Sequence, residues 1–171
     1  PVWISRRRVL QCLAAAPVAV SAAAQSEAAK VTVTGLEIFR IRVNRRGNWI
    51  IPRIQTSAGV TGIGDASHGG RDEVRVPLLR QFYELIRGRS IFEIERLRIG
   101  AEPEVAKRGT VAAVAMSGLE QALWDIRGKL FGVPACDLLG GRLRTSFRNY
   151  ANINRSTDDR TPAGFARTAQ A

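Results

Sequence analysis

The spacing of apolar positions changes along this chain, and each change marks an element. From Val31 to Val43 β-branched and other apolar residues roughly alternate with polar ones, the pattern of a half-buried strand, with Gly35 as an expected bend or bulge. Asn44 to Asn48 reads as a polar turn, and Trp49 to Thr56 as a second strand. Pro52 has no N–H to give to a ladder, so it is expected at an edge or a bulge. Trp49 is expected in the core. Ser57-Ala-Gly59 turns the chain, and Val60 to Ser67 predicts a short third strand. Three strands in an antiparallel meander do not complete a core, so helices must cover one face.

Those helices follow. Leu78, Leu79, Phe82, Leu85 and Ile86 recur at helical spacing over Val74–Ile86, and Gly88 closes the run. Ile91 to Leu97 predicts a shorter segment, with Glu93, Glu95, Arg96 and Arg98 as a solvated ladder. The clearest helix runs from Ala112 to about Phe131, with Leu119, Leu123, Ile126 and Leu130 on one face. Gly132 and Pro134 stop it: glycine supplies a left-handed cap, and proline cannot continue the ladder. Ala112, Ala113, Ala115, Ser117 and Gly118 are small enough to let another backbone approach closely. Beyond Gly140-Gly141, Thr145 to Asn154 has strand propensity, 157–162 is a polar loop, and Gly164 to Ala171 opens another helix. The fold class is α+β.

Composition changes this picture little. At 171 residues the chain can bury one real core. No apolar run is long enough to span a bilayer, so stable membrane insertion is not expected. The formal charge of +11 invites a nucleic-acid reading, but Arg6, Arg7 and Arg8 supply three of those charges, and the rest are dispersed without an aromatic platform or zinc spacing. No nucleic acid is expected as partner. Cys12 and Cys136 are too isolated for a disulfide framework or a metal site.

The N-terminus reads as a leader over 1–29. Arg6-Arg-Arg8 precedes a modest apolar stretch, and Ala22-x-Ala24 suits signal peptidase. The paired arginines resemble a bacterial twin-arginine signal, which implies a periplasmic or secreted protein; an Ala-rich cytoplasmic N-terminus is the alternative.

The stretch Ala115-Met-Ser-Gly-Leu-Glu-Gln-Ala-Leu-Trp-Asp-Ile-Arg-Gly-Lys129, continuing through Pro134 to Leu138-Leu-Gly-Gly-Arg142, resembles the signature of the mandelate racemase and muconate lactonizing group of the enolase superfamily. Gly59-Val-Thr-Gly-Ile-Gly-Asp-Ala66 is similar to the group's turn-and-strand pattern, with Asp65 where glutamate is usual. The resemblance implies an enolase-like N-terminal capping domain over 30–141. It also implies the first βα unit of a β/α-barrel over 142–171, so that the sequence would be a piece of a longer protein.

That family abstracts the proton next to a substrate carboxylate and holds the enediolate on a divalent ion, Mg2+, because the developing charge must be met by fixed positive charge. The resemblance thus implies a racemase, epimerase or dehydratase of a hydroxylated carboxylate, a small molecule such as a sugar acid, in a homo-oligomeric parent enzyme. A cycloisomerase of the same superfamily, or a non-catalytic module with the capping fold, are the alternatives. The ion's ligands and the catalytic bases belong to later barrel strands, so no catalytic residue and no metal ligand is assigned in this chain, and alone it is expected to be inactive.

What the chain would contribute is recognition, through capping loops that close over the barrel mouth. His68, the single histidine, is a solvated loop residue or a contact to the substrate's distal part; its ring can donate or accept toward hydroxyls. Arg45, Arg46 and Asn48 occupy the other loop, as a surface hairpin turn or as a clamp on carboxylate and hydroxyl groups. Asn152 and Asn154, on one face with Tyr150, fall near the C-terminal end of the first barrel strand, where barrel sites are built. Glu120 and Asp125 diverge on their helix and are expected in structural ion pairs.

Overall fold

The computed structural model describes residues 30–44, 47–68, 70–149, 153–154 and 157–170. The 1–29 leader, Arg45, Arg46, Tyr150 and Asn152 lie outside the described residues. Strands β1 (Val33–Asn44), β2 (Gly47–Thr56) and β3 (Thr61–Ile63) form an antiparallel sheet in the order β1-β2-β3. Helices α1 (Asp72–Glu84), α2 (Ile94–Arg108) and α3 (Thr110–Phe131) cover it, followed by a single turn, α4 (Ala135–Leu138), and by α5 (Pro162–Gln170).

Alternation sets the sheet's two faces. Ile50, Pro52, Ile54 and Thr56 are buried, while the residues between them are half-buried. Leading into and along β1 the core positions are the buried Val31 and Val33, then the half-buried Leu36 and Ile38. The change from odd to even occurs at a register shift between Val33 and Gly35, the bulge that glycine there predicts.

Pro52 departs from expectation, because it lies in the central strand and not at the sheet's edge. Its carbonyl accepts from Gly64 N at 3.0 Å, so its nitrogen faces the same side, just past the end of β3 at Ile63, where no regular ladder bond is lost. Trp49 is a correction too. It is 55% exposed, because alternation sends it to the face opposite Ile50, beside its cross-strand partner Ile41.

The core lies between the sheet and the helices: Leu78, Leu79 and Phe82 of α1, Leu97 and Ala101 of α2, and Leu119, Leu123 and Ile126 of α3, against Val33, Ile50 and Ile54. The second helix extends well past Leu97 and runs through Gly100 and Pro103. Leu97 and Ala101 are buried at i,i+4 and Val105 packs partly on the core, so one buried stripe carries the helix across two poor helix formers. Glu93–Arg96 and Glu95–Arg98 form the expected ladder. Gly109, with φ 63°, separates α2 from α3, and Gly132 (φ 66°, ψ 28°) caps α3 while Val133 N returns to Gly128 O at 2.9 Å.

Among the described residues, Thr145–Arg148 and Asn149 pair with no strand, and Ile153–Asn154 form a turn, so the expected strand is absent there. A strand is held by a neighbour, and none among the described residues lies beside this stretch. The helix of the expected βα unit is present as α5, which makes this an incomplete start of a barrel. Cys136 is free and exposed. No helix of the described residues is long and apolar enough to cross a membrane.

Candidate functional site

The small residues of α3 have a partner within this chain. The segment from β3 to Ala66 lies directly on them: a Cβ on Gly62 would overlap the carbonyl of Ala122, one on Gly64 the carbonyl of Gly118, and one on Gly118 would come within 2.9 Å of Ala66 Cβ. Backbone approach this close needs glycine on the facing side. Polar groups of α3 then complete the backbone of the docked segment. Asp125 Oδ2 accepts from Ile63 N at 3.0 Å, Lys129 Nζ donates to Thr61 O at 2.8 Å, and Gln121 Oε1 accepts from Asp65 N at 3.1 Å. Ser117 Oγ accepts from Gln121 Nε2 at 3.1 Å and holds that amide in place.

From this seam the chain passes to the first candidate loop. Ala66 N donates to Ile50 O at 2.8 Å, and Ile50 N donates to Ser67 Oγ at 3.0 Å, so the start of β2 and the segment leading to His68 are zipped together. Asp65 Oδ1 accepts from Ser67 N at 2.6 Å, a local turn that the shorter side chain of aspartate makes readily. Asp65 is thereby occupied with its own backbone.

His68 is therefore brought beside Asn48, which lies at the start of β2 opposite Arg42 and not in the loop where the sequence placed it. His68 is exposed, and its carbonyl accepts from Arg75 Nη2 at 2.6 Å. The same Nη2 donates to Gly70 O at 2.6 Å, and Arg75 Nη1 lies 3.3 Å from Asp72 Oδ1. The other carboxylate oxygen, Asp72 Oδ2, accepts from Asn48 Nδ2 at 2.7 Å and faces Arg40 Nε at 3.8 Å. Arg75 itself is fully buried, at 0% exposure. Gly70 and Arg71 turn the loop with φ of 72° and 60°, Arg71 being the one non-glycine residue with positive φ among those described.

Asp72 and Arg75 did not emerge as site residues from the sequence, although a signal for Arg75 exists. It stands three, four and seven residues before Leu78, Leu79 and Phe82, on the buried stripe of α1. An arginine on such a stripe has to be paired, so it signals polar partners on a neighbouring segment. Of the other expected site residues, Asn154 lies in an exposed turn, where its carbonyl accepts from Arg160 Nη1 at 2.7 Å. Thr157, Arg160, Thr161 and Arg167 bond within that same C-terminal segment. Arg45, Arg46 and Asn152 lie outside the described residues.

Glu120 and Asp125 are structural, as expected. Glu120 Oε1 accepts from Arg98 Nη2 at 2.5 Å and from Trp124 Nε1 at 3.3 Å, and the hydrogen bond to Glu120 raises the Arg98 pKa above its usual range. Asp125 pairs with Lys129 at 2.7 Å. Arg127 is held between the rings of Phe92 and Trp124, at 4.6 and 4.7 Å, and burial lowers its pKa. Among the described residues no three His, Cys, Asp or Glu side chains converge as a metal site would require. The described part of the chain therefore does not fit a divalent ion. What it does is bring the exposed His68 and the half-buried Asn48 together through the Arg75–Asp72 pair.

Comparison with known proteins places this architecture. Residues 5–140 match the family model described as the mandelate racemase / muconate lactonizing enzyme, N-terminal domain. Among curated relatives, a D-mannonate dehydratase of Caulobacter sp. strain K31 is 37% identical over 118 residues, covering 68% of this chain and 29% of that protein. A D-xylonate dehydratase of Haloferax volcanii is 35% identical over 121 residues, covering 69% of this chain and 28% of that protein. A crystal structure from Mesorhizobium loti superposes with a TM-score of 0.69 at 31% identity, covering 81% of this chain and 38% of the other. The chain thus spans less than a third of the length of these curated relatives. It belongs to the N-terminal domain family of the mandelate racemase and muconate lactonizing group, in the enolase superfamily.

Proposed function

We propose that this chain is the capping part of a metal-dependent sugar-acid dehydratase, and that its two loops read the hydroxylated end of the substrate. The observation that carries the reading is the identity to D-xylonate and D-mannonate dehydratases over the cap itself. The exposed His68 and the adjoining Asn48 support it, because a polyol needs donors and acceptors at its distal end and imidazole and amide side chains carry such groups. A bound Mg2+, liganded by residues beyond this chain, would stabilise the charge that develops on the substrate carboxylate. The overall reaction removes the α-proton, expels the β-hydroxyl as water and leaves a 2-oxo-3-deoxy acid. We further propose a homo-oligomeric parent enzyme.

The test uses the full-length protein with magnesium and D-xylonate or D-mannonate, following 2-oxo acid formation and α-deuterium uptake from heavy water. Dehydration supports the proposal, and His68→Ala should then raise KM more than it lowers kcat. Deuterium uptake without water loss would move the assignment to a racemase or epimerase. No reaction with any hydroxylated acid would leave a non-catalytic module.

Residues 1–24 are proposed to direct export through a twin-arginine route, on the strength of Arg6-Arg-Arg8 and Ala22-x-Ala24. Fused before a folded reporter, they should carry it across the inner membrane, and changing the three arginines to lysines should stop that. Unchanged export after the change removes the twin-arginine reading.

A further inference from the structure

Arg75 occupies a core position of α1, yet none of its polar contacts is with the core. Two go to the carbonyls of His68 and Gly70, and one to the Asp72 carboxylate, whose other oxygen holds Asn48. Its Nε is buried with no partner among the described residues. An orphaned buried donor is destabilising, and so is a charge withdrawn from water. An apolar side chain of similar volume would satisfy the helix better. The arrangement is therefore poorly explained as a contribution to stability, and well explained as a fixture between two loops.

We propose that Arg75 and Asp72 form a clamp that sets the His68 loop and the Asn48 end of the hairpin in a fixed relation, so that both are positioning residues for substrate recognition. The two regions are far apart in sequence: Arg75 holds the carbonyls of the His68 loop, Asp72 holds Asn48, and the Arg75–Asp72 pair joins them. Arg75 fixes the carbonyls at 68 and 70, which fixes where α1 begins and hence where Asp72 presents its carboxylate. The left-handed pair Gly70-Arg71 is held in the same way, since Nη2 spans the turn. The substrate part of this inference rests on the reading given under Proposed function; the clamp itself does not.

Hydrogen exchange on the whole protein without substrate tests it. The reporter amides are Ile50, bonded to Ser67 Oγ, and Ala66, bonded to Ile50 O; Leu119 and Leu123 of α3 are the reference. Arg75→Met should speed exchange severalfold across 66–72, and by a smaller resolved factor at 48–50, with α3 unchanged. Asp72→Asn leaves the two carbonyl bonds of Arg75 in place, so it should loosen 48–50 and spare 66–71. Equal acceleration everywhere, α3 included, would reduce Arg75 to a stability role and overturn the clamp. So would a response confined to 66–72 in both variants. Exchange as expected, with sugar-acid KM unchanged in both variants, would uphold the clamp and remove the substrate reading instead.

Discussion

Two glycine-containing segments, one preceding the three helices α1–α3 and one following them, have opposite fates. The one before them, Thr61 to Ala66, is docked on α3: Gly62 and Gly64 meet helix carbonyls, and three α3 side chains bond its backbone. The one after them, Leu139 to Asn149, stands away from the cap, with Leu143 95% and Phe147 74% exposed. Both segments mix glycine, apolar and polar residues, and both fall in stretches that carry the family resemblance. What separates them is whether the opposing surface is part of this chain. For the first segment it is Gly118, Gln121, Ala122, Asp125 and Lys129, so much of the family signature is a description of one seam. For the second, no described residue supplies it.

The seam should break most sharply at its glycines. Gly64→Ala forces a methyl into the Gly118 carbonyl, and neither backbone can yield without shifting β3 or α3. Overpacking of this kind costs about 3 kcal/mol or more when backbone is the obstacle. Gly59→Ala is the control. It meets open space, and its penalty comes from a φ of 73° alone, about 1 kcal/mol. Urea unfolding of both variants measures the difference, and equal losses would show that the seam is looser than its geometry.

The polar half of the seam should give a smaller effect. Asp125→Ala removes the acceptor for Ile63 N and the partner of Lys129. A partly exposed hydrogen bond to a charged acceptor contributes about 1–2 kcal/mol, and the exposed ion pair adds at most about 0.5 kcal/mol. Lys129→Met, combined with it in a double-mutant cycle, should therefore show weak coupling. Coupling as large as the whole loss would mean that the ion pair, and not the strand contact, is what Asp125 provides.

The contrast also explains what was legible in the sequence. Periodicity located β1, β2 and the long helix because one-sided burial imposes it. It misplaced Trp49, since a tryptophan beginning a strand looks like core until the register with Ile41 is known. It could not see that Asp125 and Lys129, correctly paired at i,i+4, also face β3, because contacts between elements leave no local trace. The same holds for the candidate site. His68 and Asn48 were visible as polar loop residues, while Asp72 and Arg75, which join them, depend on a contact 24 residues apart. The stretch from Thr145 had strand propensity, but propensity without a neighbour makes no strand.

The smallest effect belongs to α5, where the outlying segment organises itself. Asp159 is held below the usual carboxylate range by Thr161, through its side chain first and then its backbone N–H, with Arg167 beside them. Thr161 Oγ1 in turn accepts from Gly164 N at 3.1 Å, which caps the helix. A depressed carboxylate pKa means that the folded helix favours the charged form. Its contribution is full above the unfolded value of 3.8 and is lost as pH falls through the lower, folded value. Asp159 is exposed at the surface, so the consequence is local fraying and not unfolding. Amide resonances of Gly164 and Thr168 should shift toward coil values on acidification below about pH 4, while that of Gly64, which in the seam donates to the carbonyl of Pro52, should stay in place. Asp159→Asn keeps an acceptor for the Thr161 N–H and removes the titration, so its α5 signals should stay flat through the same range. If seam and α5 amides moved together with pH, the two segments would be coupled, and the separation drawn between them would fail.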